Sequence, residues 1–217
     1  MDADQEQDIL LEESIFIDSN DEKKGRIVIL TINRPDKLNA LNKSVTSAIK
    51  EASKRVMEDD TIRVVIFAGA VPNPPLEGKR SKPNSFVAGA DITDFKGKKS
   101  DEIFEIFSDN CWEAVWKIEK PTIAMIDGFA LGGGCELAMS CDIRIATNRS
   151  VFGQPEINLG LIPGGGGTQR LTHLVGYGKS LELILSGKFI DAEQAYSFGL
   201  LNHVCAPDEL RNMTLEL

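Results

Sequence analysis

The sequence predicts an α/β domain, and three observations carry the prediction. Short β-branched runs alternate with amphipathic segments along the chain. Proline and glycine clusters punctuate the joins between them. No apolar run reaches the roughly 18–20 residues of a membrane span; the longest candidate, 123–145, is broken by Asp127, Glu136 and Asp142. With 217 residues, 42% hydrophobic and 26% charged, the chain is long enough to bury roughly 70% of its unfolded surface in one core. That composition excludes a collagen-like, rod-like or wholly disordered chain.

Taken in order, residues 1–22 hold nine acidic side chains and no Lys or Arg. They are expected as an acidic, partly disordered leader, because self-repulsion opposes compaction. The net charge is −9, so the body from Lys23 onward is neutral, with 24 acids against 24 bases. A neutral body lacks the basic face that nucleic acid demands. The N-terminus has no basic-then-apolar signal pattern, so a cytoplasmic protein is expected.

Arg26–Ile32 is β-branched and reads as a strand ending at Asn33-Arg34-Pro35. Asn42 can cap a helix from about Lys43 to Met57, with Val45, Ile49, Ala52 and Val56 at helical spacing. Arg63–Ala68 suits a strand buried on both faces. Residues 71–85 carry four prolines and read as a loop. Phe86–Ala90 is apolar again. Ser100 can start a helix that Pro121 stops near Glu119. Ile123–Ile126, Gly133–Ser140 and Ile143–Ala146 read as strand, helix and strand. Helices are expected near 166–175, 178–186 and 191–198, and a strand at Val204. The domain layout is therefore leader 1–22, α/β core 23–204 and a following segment 205–217.

Four cysteines show no C-x-x-C pair, and His173 and His203 are the only histidines. Zinc clusters of the usual spacing are not expected, and acid–base chemistry falls to carboxylates. Two segments hold glycines beyond what packing asks for. One is Phe86-Val87-Ala88-Gly89-Ala90-Asp91-Ile92; the other runs from Asp127 through Gly132-Gly133-Gly134-Cys135-Glu136 to Ala138. Glycines opening a helix let a ligand approach unpaired N–H groups at its positive end. Glu136 sits among apolar neighbours, where an ionised carboxylate is costly without partners. The alternative reading is a solvent-facing glutamate on an amphipathic helix. Glu156 is a second carboxylate between apolar neighbours, entering Gly160-Leu161-Ile162-Pro163-Gly164-Gly165-Gly166-Gly167. Two carboxylates converging on one water can divide acid and base work.

The segments N-R-P-D-K-L-N-A-L (33–41), F-V-A-G-A-D-I (86–92), D-G-F-A-L-G-G-G-C-E-L-A-M-S-C-D (127–142) and Q-P-E-I-N-L-G-L-I-P-G-G-G-G-T-Q-R-L (154–171) resemble the crotonase superfamily, specifically its enoyl-CoA hydratases. The resemblance runs from about residue 14 to the end. It implies a spiral of ββα turns, assembled as a homotrimer or a dimer of trimers, acting on an acyl-CoA thioester without a separate cofactor or metal. By the same resemblance, Ala90 and Gly133 supply the N–H groups of an oxyanion hole. Glu136 and Glu156 match the catalytic pair, and Gly164 helps to hold the water. Lys37, Leu38, Ala40, Ala88, Asp91, Ile92 and Thr93 fall where the family binds coenzyme A. Both glutamates being present favours hydration; the expected enzyme is a short-chain enoyl-CoA hydratase, or 3-hydroxyacyl-CoA dehydratase in reverse. The alternatives are an enoyl-CoA isomerase or other enolate reaction on the same scaffold, or an RNA-binding relative.

Three departures from the family pattern stand out. Thr93 replaces a lysine that the family often places near the coenzyme A phosphates. The 71–85 loop is long and carries Lys79, Arg80 and Lys82, which could make that contact instead. The chain ends at Leu217, where the family normally continues into C-terminal helices, so 205–217 is expected to begin a truncated helical region. Phe104, Phe107, Trp112 and Trp116 could shorten the acyl pocket or serve as core.

Overall fold

The computed structural model describes residues 9–17, 25–74, 81–94, 97 and 110–217. The first half gives β1 (Leu10–Ile17), β2 (Gly25–Ile32), α1 (Lys43–Glu58), β3 (Ile62–Gly69), β4 (Ser85–Val87) and α2 (Cys111–Trp116). Next come β5 (Thr122–Ile126), β6 (Phe129–Leu131), α3 (Gly133–Ser140), β7 (Ile143–Thr147) and β8 (Val151–Gly153). The rest is α4 (Gly167–Val175), α5 (Tyr177–Ser186), β9 (Phe189–Asp191), α6 (Ala192–Ser197), β10 (His203–Cys205) and α7 (Leu210–Glu216).

Among the described residues the strands form two sheets, ordered β1-β2-β3-β5-β7-β10 and β4-β6-β8-β9. Pairing is parallel except for β1 with β2 and β8 with β9. The chain alternates between sheets: β5 then β6, α3, then β7 and β8. Each turn of this ββα spiral lays one strand in each sheet.

The main core fills the space between the sheets and α1–α3. Val28, Leu30 and Ile32 point into it from β2, opposite Val45, Ile49 and Val56 of α1. Each such burial is worth about 1.5–3 kcal/mol. Asn42 caps α1 as its sequence implies, accepting from Val45 N at 3.0 Å. On the other face, Ile29, Ile66, Ile123 and Ile145 meet Leu210 of α7. The larger sheet is therefore covered on both sides, which is why its strands read as continuous apolar runs.

Residues 10–17, placed by the sequence reading in an acidic leader, form strand β1 along the whole of β2. The two acids on this strand are partnered by bases of the body: Glu12 with Arg26 and Arg55, Glu13 with Arg211. The rest of 1–22 lies outside the described residues apart from Ile9. Of the helix expected over 100–119, Cys111–Trp116 is helical, with Asn110 capping it; residues 100–109, and with them Ser100, Phe104 and Phe107, lie outside the described residues. The described ends of the 71–85 loop, 71–74 and 81–84, are irregular, as their prolines require. No described helix is long and apolar enough to cross a membrane.

Candidate active site

α3 begins just after β6, an inner strand of the smaller sheet, and the three glycines at its start have separate tasks. Gly132 adopts φ +50°, and a Cβ there would lie 3.2 Å from Glu156 Oε1. A Cβ on Gly133 would press on the Trp112 indole at 2.9 Å and sit 3.5 Å from the Ala90 amide nitrogen. Gly134 is a packing glycine, since a Cβ would fall 1.9 Å from the Val87 carbonyl oxygen.

The first amide of α3, on Gly133, has no intrahelical acceptor. The Ala90 amide is freed by its neighbours: Leu41 N donates to Gly89 O at 2.9 Å, and Asp91 N donates to Leu41 O at 2.7 Å. The bridge to Leu41 uses the residues on either side and leaves the Ala90 N–H on the opposite edge. Two backbone donors beside one another can hold one anionic oxygen.

Glu136, in the first turn of α3, is 2% exposed. Its Oε1 accepts from Gly165 N at 2.7 Å and Gly167 N at 2.8 Å. Both donors use one oxygen, so Oε2 keeps its lone pairs for another. Burial pushes the carboxyl up from 4.5 to about 7, against the pull of the two amides and of Arg170. Glu156 opens the 3-10 turn Pro155–Leu159. Burial pushes it up to about 7 as well, and the charge of Glu136 adds to the rise. Gln154 is buried beside it; with its amide nitrogen facing the carboxylate, it donates to Glu156 Oε1 at 2.8 Å.

The two glutamates, Ala90, Gly133 and Gly164 line one cavity of about 150 Å³. Trp112 closes it from α2, its indole N–H donating to Gly133 O at 2.7 Å. Leu159, Leu161 and Ile162 form an apolar lip. Across the Gly164–Gly166 turn lies a larger cavity of about 730 Å³, lined by Trp116, Arg170 and His173 among others. The larger space does not reach either glutamate.

Of the strip expected to meet coenzyme A, Ala88 and Ile92 line the small cavity. Lys37, Leu38, Ala40, Asp91 and Thr93 lie outside its lining, although Ala88 N donates to Leu38 O and holds the two segments together. Asp91 is engaged with protein: Thr93 Oγ1 donates to it at 2.6 Å and Arg34 at 3.1 Å. Thr93 first, then Arg34, hold its carboxyl below the ordinary carboxylate range despite partial burial. Lys82 is paired with Asp36 at 2.9 Å, and Lys79 and Arg80 lie outside the described residues. Trp116 is exposed and stacks under Arg170. His173 and His203 line no part of the small cavity.

Sequence reasoning passed over four side chains that build this site. Arg34 ties Asp91 to the Ala40 carbonyl, and Asn39 is fully buried, bonding Arg34 N, Ala70 O and Ser85 O. Gln154 and Arg170 complete the set. Asn39 had a signal in its run of turn residues; the other three are polar side chains whose partners are distant in sequence.

The chain as a whole is similar to known proteins. Residues 22–217 match the family model described as enoyl-CoA hydratase/isomerase. The short-chain-enoyl-CoA hydratase of Clostridium acetobutylicum is 44% identical over 198 residues, covering 90% of this chain and 72% of that protein. The crotonyl-CoA hydratase of Syntrophomonas wolfei is 43% identical over 191 residues, covering 87% and 69%. An enoyl-CoA hydratase structure from Bacillus anthracis superposes with a TM-score of 0.80 at 31% identity, over 96% of this chain and 74% of that one. The enzyme from Mycobacterium tuberculosis H37Rv gives 0.79 at 30% identity, over 97% and 74%.

Proposed function

The chain belongs to the enoyl-CoA hydratase/isomerase family and is an enoyl-CoA hydratase, a hydro-lyase; from its site we propose that it adds water reversibly to a short-chain trans-2-enoyl-CoA. The observation that carries this reading is the pair of glutamates, one buried and one half-buried, on one small cavity beside the backbone amides of Ala90 and Gly133.

In this reading the thioester carbonyl oxygen lies between the Ala90 and Gly133 amides. Negative charge grows on that oxygen as water attacks Cβ, and each donor is worth roughly 3–4 kcal/mol to the transition state. Glu136 is the base. Its two amide donors and Arg170 favour the anion there, whereas the charge of Glu136 favours a protonated Glu156. Glu136 takes a proton from water held with the Gly164 N–H, the oxygen bonds Cβ, and Glu156 gives its proton to Cα. Solvent exchange then resets the two carboxyls. The step is redox-neutral and balances with water alone, so coenzyme A enters as part of the substrate and no further cofactor is invoked.

A small cavity supports a short acyl group: about 150 Å³ is below the roughly 300–1,000 Å³ of sites for drug-sized ligands. The coenzyme A moiety is assigned to the strip Lys37, Leu38, Ala40, Ala88, Ile92 and Thr93, with Asp91 bracing it from behind. Homotrimer or dimer-of-trimers assembly belongs to the same proposal, supported by exposed Tyr177, Leu181, Leu185, Phe189 and Tyr196 on α5, β9 and α6. So does a cytoplasmic location, which four free, buried cysteines suit.

The test is hydration of C4, C8 and C16 enoyl-CoAs, with product identified. Preferred turnover of the C4 ester to the 3-hydroxyacyl product is expected. Double-bond migration without hydration would replace this reading with the isomerase.

A further inference from the structure

We propose that Arg170 is a positioning residue of the hydration site, clamping the turn that carries the backbone donors to Glu136. The inference rests on the hydratase reading and extends it to a residue that lines none of the reaction cavity.

The geometry is a relay across one glycine. Arg170 Nη1 donates to Gly165 O at 2.7 Å, and Gly165 N donates to Glu136 Oε1 at 2.7 Å. The guanidinium and the carboxylate thus hold the same residue from opposite sides. The neighbouring glycines record how tight the arrangement is. Gly166 has φ +99°, and a Cβ there would fall 2.0 Å from Arg170 Nη1. A Cβ on Gly165 would meet the Trp112 indole at 2.5 Å and Glu136 Oε2 at 2.8 Å. The turn is glycine-only because Arg170, Trp112 and Glu136 occupy its sides.

Arg170 is itself fixed from α2. Its Nη2 lies 3.7 Å from Glu113, and its guanidinium carbon sits 4.8 Å above the Trp116 ring. The side chain is 12% exposed, and its Nε is the buried side-chain polar atom left without a partner among the described residues.

The charge has a defined audience. Glu136 faces Arg170 from α4 and Glu156 from the 3-10 turn. It also faces the thiols of Cys111 on α2 and Cys135 on its own helix, both pushed up to about 12 by burial and so neutral. Arg170 is the cation that opposes the effect of burial on Glu136. Glu113, on the outer side, is the carboxylate that restrains Arg170 in turn.

The test compares R170M and R170K with the parent in two readouts. The first is the ionisation of Glu136, followed by carboxyl infrared or ¹³C-glutamate NMR titration and assigned with E136Q. R170M should raise its midpoint measurably, because it releases the Gly165 turn that donates to Glu136 and removes the cation that opposes the effect of burial. R170K keeps a charge and should titrate within a few tenths of the parent. The second readout is crotonyl-CoA hydration. Both variants should lose about tenfold in kcat with KM within twofold, because a lysine lacks the fork that grips a turn. An unshifted Glu136 midpoint in R170M overturns the proposal. Where R170M does not fold, full kcat in R170K overturns it. A shifted midpoint in a protein whose parent hydrates no enoyl-CoA would keep the clamp and discard the hydratase reading.

Discussion

Glu136 is a destabilising residue at the pH where it works, and Glu136→Gln should show it. In the fold its carboxyl titrates near 7 instead of its ordinary 4.5, because burial penalises the anion. A group whose folded pKa is raised binds more protons in the native state between those two values. Its contribution is fully present below pH 4.5 and is lost as pH rises through 7. At 1.36 kcal/mol per pH unit, the rise amounts to about 3 kcal/mol, an upper bound for a carboxyl at 2% exposure. Glutamine keeps the carbonyl oxygen that accepts from Gly165 N and Gly167 N, and carries no charge to desolvate. The assay is urea unfolding of parent and variant at pH 5 and pH 8, compared as a difference so that other titrating groups cancel. Near pH 5 the two should be equal within about 1 kcal/mol; at pH 8 the variant should be more stable by about 2–3 kcal/mol. The same difference at both pH values would refute the reasoning, because burial would then not be acting on the charge.

Further substitutions test the supports of the site. Gly134→Ala should cost about 2 kcal/mol or more and lower Tm, since its Cβ would lie 1.9 Å from the Val87 carbonyl; an unchanged Tm would refute the packing role. Asn39→Ala strands the buried Ser85 O and the half-buried Ala70 O and should cost about 1–3 kcal/mol by denaturant unfolding, a loss that a neutral result would contradict. Asp91→Asn weakens the Arg34 clamp behind Ala90 and should lower kcat about tenfold with intact folding; unaltered kcat would return Asp91 to a passive place.

The fold was legible wherever an element was long enough to carry a period. The expected limits of β2, α1, β3 and α3 agree with the observed ones to within a residue or two, because each has an apolar face of at least two turns or five residues. β6, β8 and β9 have three residues each, too few for alternation to show, so the second sheet was not readable from pattern. β1 was hidden for another reason: its acids read as a repelling run, and their partners Arg26, Arg55 and Arg211 are spread through the chain. In the site, Glu136 and Glu156 announced themselves as carboxylates between apolar neighbours beside glycine runs. Asp91 did not disclose that its carboxyl faces Arg34 and Thr93, because that depends on how residues 34–41 lie along 88–93. Gln154 and Arg170 were invisible for the same cause: a polar residue's partner is set by tertiary contact.

The most direct measurement is crotonyl-CoA hydration by Glu136→Gln, Glu156→Gln and the double variant, with folding checked for each. Each single change should reduce turnover by at least about 10²-fold, the scale of a lost general acid or base. The double variant should fall well short of the product of the two losses, because both carboxyls serve one water. Near-parental turnover in either folded single variant would contradict the two-carboxylate mechanism.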